Sequence, residues 1–281
     1  MSRVFGYSDS VYNIYNDLNN SKILKYKKDN NKTSWDDVIN SIKEIDFYIP
    51  FEFKKNMKNN KIRVVRAPSL FNRNTIISTP TEENEDPTII FPSRSAKEEY
   101  KKELVYFIGV LLREVNCDNM PDLYSIPSEY QDVLPLILEY LYLKNNNLEN
   151  VFSHQKIHEL YASSGLYVKA FNDYKKIQEL CYNSRYLPRK NYEIISELEK
   201  DSLKKFEDVT LEYLIPLSSL DVSLQLIDNY NSIDFKKLIK DLYNNYDKDR
   251  KEYINDLGID SYGFKRVKEE IEKYKVKSLK K

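Results

Sequence analysis

The stretch Val151–Cys181, VFSHQKIHELYASSGLYVKAFNDYKKIQELC, holds both histidines of the chain and its best repeat-like pattern. Val151, His154, Ile157, His158 and Tyr161 recur at three- and four-residue spacings, which puts them along one packing face of a helix. Gly165 can take the positive φ that ends a helix, and Tyr167, Ala170 and Tyr174 then restart a helical period. The expectation is a pair of antiparallel helices, at about 148–164 and 167–181, with His154, His158, Tyr161, Tyr167, Ala170 and Tyr174 packed between them.

His154 and His158 lie one helical turn apart, so both imidazoles could face one metal ion. A zinc protease of the HExxH kind also needs a glutamate after the first histidine, to take the proton from metal-bound water. Here that position is Gln155, whose carboxamide has no comparable basicity, and hydrolysis by that route is excluded. A non-catalytic metal site at His154 and His158, with Glu159 or a carboxylate elsewhere in the chain as a further ligand, is the weaker alternative to two histidines packed in the hairpin; no cofactor is expected.

With its small and aromatic residues in this order, the stretch resembles a tetratricopeptide repeat, a helix–turn–helix unit of about 34 residues. Ile157 and Tyr161 match the first-helix positions, Gly165 and Tyr167 the turn, and Ala170 and Tyr174 the second helix. His154, His158, Ile177 and Tyr182 depart from the pattern, and neither flanking segment repeats it. The resemblance covers one unit, residues 151–181, and implies a groove suited to a peptide or helix.

Outward from this stretch the chain divides in texture. Asn19–Ser34 is polar and reads as a loop or frayed helix. Ser34 with Asp37 resembles a helix cap before a short apolar face at Trp35, Val38, Ile39, Ile42 and Ile45. From Phe47 to Pro92, the runs FYIPF, KIRVVRAP, TIISTP and TIIFP are short, β-branched and bounded by proline, which predicts three or four strands. Ser95 and Glu98 make a capping box before a helix carrying Leu104, Phe107, Ile108, Leu111, Leu112 and Val115 on one stripe. A second helix carries Leu134, Ile137, Leu138, Leu141 and Tyr142, with Pro135 marking its start or a kink, and helical periods follow at about 190–207, 210–230, 234–246 and from 262 onward. The fold expected is α+β: a small mixed-sheet region in the N-terminal third, residues 1–95, followed by a larger all-helical portion of stacked helical hairpins, residues 96–281.

Composition narrows the functions. The 281 residues carry 44 Lys plus Arg against 44 Asp plus Glu, so no net field draws the chain to nucleic acid or anionic lipid. No apolar run is long enough to span a bilayer, MSRVFGYSDSVY has no apolar signal region, and two isolated cysteines suit a reducing compartment. A cytoplasmic location without membrane association is expected. The 24 tyrosines accompany a scarcity of alanine of the kind an AT-rich genome imposes, so they do not by themselves indicate a stacking platform.

Five scattered glycines offer no phosphate-cradling loop. Asp46, Glu52 and Lys54 have the flavour of a metal-dependent nuclease, in a composition where such triplets are common. The segment Lys265–Lys281 has eight basic residues against three acidic, on an amphipathic helix with Phe264, Val267, Ile271 and Tyr274 inward. The reading favoured is a non-enzymatic cytosolic interaction module whose helices bind a protein or peptide partner. Two alternatives stand beside it: a nucleic-acid-associated regulator using Lys265, Arg266, Lys273 and Lys277, and an enzyme or pseudoenzyme with a divalent-metal site.

Overall fold

The structure, a computed structural model, describes residues 2–27, 31–48, 63–66, 76–78, 88–91, 96–115, 130, 132–182, 193, 196, 206–229, 257–259 and 263–276. These are predominantly helical: α1 (Ser2–Asn20), α2 (Trp35–Tyr48), α3 (Glu99–Val115), α4 (Val133–Asn145), α5 (Glu149–Tyr182), α6 (Phe206–Asn229) and α7 (Lys265–Tyr274). Three short strands, β1 (Arg63–Arg66), β2 (Ile76–Ser78) and β3 (Thr88–Phe91), pair in the order β1-β3-β2, parallel for β1 and antiparallel for β2. The expected α+β character thus reduces, among the described residues, to a helical architecture with this small ribbon. Compactness divides the chain into one unit of residues 1–26, 153–221 and 260–281 and another of 27–152 and 222–259. Residue 95, where the composition changes, falls inside the second unit.

In that second unit, Ser34 starts α2 as its sequence implies. Its Oγ accepts the Asp37 N–H at 3.0 Å, and its hydroxyl in turn holds the Asp37 carboxyl below the usual range. Val38 is buried and Trp35 stacks on Tyr100 of α3 at 5.8 Å between ring centroids, but Ile39, expected on the same face, is exposed. Leu104, Val105 and Ile108 of α3 meet an α4 that is buried almost all round. Gly109 makes that contact possible: a Cβ there would lie 2.6 Å from the Pro135 Cα, so no side chain fits between the two backbones. Pro135 sits in the first turn of α4, where its missing N–H has no helical partner to lose.

In the first unit the turn expected at Gly165 does not form, and the tetratricopeptide-like hairpin is replaced by one helix of 34 residues, α5. The partner helix is α1, some 150 residues earlier in the chain. Lys175 pairs with Asp9, Phe171 stacks on Tyr12, Tyr167 lies tilted against Tyr15, and a Cβ at Gly165 would meet the Asn19 side chain at 3.2 Å. Numbers rise along α1 as they fall along α5, so the two run antiparallel. From Ile157 onward the described buried residues of α5, namely Ile157, Leu160, Ser164, Tyr167 and Phe171, alternate between three- and four-residue steps, the seam of a continuous helix. Glycine inside a helix costs about 1 kcal/mol relative to alanine, less than a seam of this length contributes. His154, His158 and Tyr161 flank the seam half-buried, and Ala170, assigned to a close helix contact, is also only half-buried.

α6 passes through Pro216 without ending and is buried on nearly every side between Leu217 and Leu224. α7 turns Phe264, Val267 and Ile271 inward as its amphipathic pattern predicts.

Candidate functional site

Two sequence features expected to act separately meet in the first unit. His154 of α5 lies flat on Tyr274 of the basic helix α7, ring centroids 4.5 Å apart and planes 4° from parallel. Tyr26 completes the cluster, edge-on to His154 at 5.7 Å and tilted against His158 at 6.3 Å.

Backbone geometry explains why His154 is there. After α1 the chain extends and pairs with the residues that follow α7: Ile23 bridges Lys275 in antiparallel sense, Leu24 N–H donates to Tyr274 O at 2.9 Å, and Val276 N–H donates to Lys22 O at 2.8 Å. A longer ladder would return a bond from the Tyr274 N–H to the Leu24 carbonyl, but Tyr274 is in the last turn of α7. His154 Nε2–H donates to that carbonyl instead, at 2.9 Å. A carbonyl only accepts, so the proton sits on Nε2 and that nitrogen has no lone pair to give a metal. Gln155, the residue that excluded a protease, accepts from Tyr26 and donates to Glu159 at 2.9 Å. No group of three or more histidine, cysteine, aspartate or glutamate side chains among the described residues is arranged to hold a metal ion.

α7 is anchored at its start by a buried carboxylate. Phe264 takes a left-handed conformation, φ 48°, to bring the chain into the helix, and Asp221 of α6 accepts the Val267 N–H at 3.0 Å. Asp221 thereby supplies the side-chain oxygen that an N-cap residue would normally provide. Burial, aided by Glu270, pushes the Tyr274 phenol up.

The four basic residues proposed as phosphate contacts fare differently. Arg266 pairs with Glu269 at 2.8 Å and Glu270 at 3.4 Å, and Lys273 pairs with Glu270. Lys265 is exposed, with no carboxylate partner among the described residues, and Lys277 lies outside them. Lys275 joins Asp17 at 2.7 Å and Glu272; partial burial opposes its charge, but the two carboxylates outweigh that and raise the ammonium above its ordinary value. Half of the proposed contacts are thus already matched to carboxylates of their own helix. Of the nuclease-like triplet, Asp46 falls in α2 with its side chain undescribed, and Glu52 and Lys54 lie outside the described residues.

Within Asn19–Ser34, expected as a loop or frayed helix, Lys22–Leu24 is extended and carries the ladder. The run KILKY is only five residues long and has no period-two alternation, and the residues it pairs with lie some 250 positions away. No helix among the described residues is long and apolar enough to cross a membrane. No protein-family model matches the chain, and neither a curated protein nor a solved structure shows significant similarity to it.

Proposed function

We propose that the protein is a non-enzymatic cytosolic interaction module that binds a partner protein or helix. The observation that supports this reading is the outer face of α5, where Leu166 is 66 % exposed. Ala162, Gly165 and Lys169 are exposed beside it. The small Ala162 leaves room for a second backbone to approach, and burying a leucine contributes about 1.5–3 kcal/mol to an interface. The groove expected from a hairpin is therefore replaced by a helix face.

Affinity capture from the native host, followed by mass spectrometry, tests the reading. A partner retained by the wild-type chain and released by Leu166→Asp is the expected result, since an exposed position tolerates aspartate without unfolding. Capture of nothing above background, or of the same proteins by both forms, would remove it.

A further inference from the structure

Among the described residues, the extended segment Lys22–Leu24 is paired on one side only, through the bridge of Ile23 to Lys275. In an antiparallel ladder, alternate residues direct their N–H and C=O groups to opposite sides. Lys22 and Leu24 use theirs toward residues 274–276, so those of Ile23, and of Lys25 if the extension continues one residue, turn to the other side. The backbone groups of Ile23 and Lys25 have no hydrogen-bond partner among the described residues. Such an edge is a template for one more strand.

Its side chains indicate what that strand should carry. Lys22 and Lys25 are exposed, with no carboxylate partner among the described residues, and Lys268 is exposed on the adjoining helix. The nearby carboxylates Asp17, Glu269, Glu270 and Glu272 are used by Lys275, Arg266 and Lys273. Leu24 and Val276, diagonal neighbours on one face of the ladder, are each 46 % exposed. A second copy of this edge would set lysine against lysine. Of the rings beside it, Tyr26 stands edge-on to His154, and His154 and Tyr274 each have one face covered by the other, which leaves them poorly placed to stack a nucleic-acid base.

We infer that the edge Lys22–Tyr26 binds an extended acidic peptide segment with aliphatic residues by strand addition, the main chain supplying affinity and the lysines selecting charge. This deepens the interaction reading above but uses a different surface from Leu166.

Fluorescence anisotropy with a short labelled peptide alternating glutamate and valine tests it, using the whole chain. Binding should weaken about tenfold or more in Lys22→Glu/Lys25→Glu, consistent with like-charge repulsion, and equally when alternate amides of the peptide are N-methylated. The methylated probe is read on the wild-type protein, so a variant that misfolds does not blur the outcome. No binding of the parent peptide, equal binding of the methylated one, or displacement of both by oligouridylate would each overturn the inference. A host partner that still depends on Leu166 would then show that the interaction reading survives without it.

Discussion

Tyr15 lies tilted by 40° against Tyr167 with ring centroids 4.7 Å apart, and of these two buried phenols only Tyr15 has an acceptor among the described residues, the Tyr213 carbonyl at 2.8 Å. The Tyr167 hydroxyl is buried without a hydrogen-bond partner among the described residues. Tyr167→Phe should therefore leave stability unchanged or raise it by up to about 1 kcal/mol, whereas Tyr15→Phe should lower it by about 1 kcal/mol. Urea titrations of both variants check the contrast, and equal losses would contradict it.

The same pair dictates an alkaline limit. Burial, with each phenol raised further by its neighbours, holds Tyr15 and Tyr167 well above their ordinary value of 10.0. Below that pH both folded and unfolded chains keep the protons, so this contribution to stability is fully present. Above it the unfolded chain ionises first, and stability falls as pH rises toward the folded values. Phenolate absorbance from the buried tyrosines should appear together with loss of helical circular dichroism, not before it.

Glycine substitutions separate a continuous α5 from a hairpin. Gly165→Ala should stabilise by up to about 1 kcal/mol, because alanine favours the helix and the atom it would meet is the movable end of Asn19. A turn glycine with positive φ would give a loss instead. Gly109→Ala should cost about 1–3 kcal/mol, since its neighbour is the Pro135 backbone, which cannot step aside. Thermal melts of the two variants give the signs.

Asp221→Ala should release the start of α7. The lost bond to the Val267 N–H was made in a buried site, so a destabilisation of about 1–3 kcal/mol is expected. Amide exchange at Val267 and Lys268 should accelerate more than exchange within α3.

His154→Phe keeps a ring for Tyr274 and removes the bond to the Leu24 carbonyl, so a loss of about 1 kcal/mol is expected. Added zinc should leave the melting temperature of the wild-type chain unchanged, given that Nε2 is engaged as a donor. A zinc-dependent rise abolished by His154→Phe would overturn that assignment.

Elements that organise themselves locally were legible. Ser34 and Asp37 marked a helix start, Leu104 and Ile108 a core stripe, and Pro87 and Pro92 the two ends of β3, because each signal lies within a few residues of its effect. α1 was missed although Val11, Ile14, Tyr15 and Leu18 carry its period, since polar residues fill the positions between. Gly165 was misread for a physical reason: a small residue lets a backbone turn and also lets a second helix come near, and only the partner decides between the two. That partner, like the strand facing Leu24, lies far away in sequence, where one chain read alone gives no pairing information.

The pairing of α1 with α5 also sets an order of events during synthesis. Tyr12 and its partner Asn172 are 160 residues apart, so at about 5–20 residues per second the ribosome needs on the order of ten seconds or more to deliver one to the other. For that interval Val11, Ile14, Tyr15 and Leu18 lack the α5 face that covers their helix in the finished unit. That unit, which also takes in residues 260–281, closes only after Phe264–Tyr274 has been made.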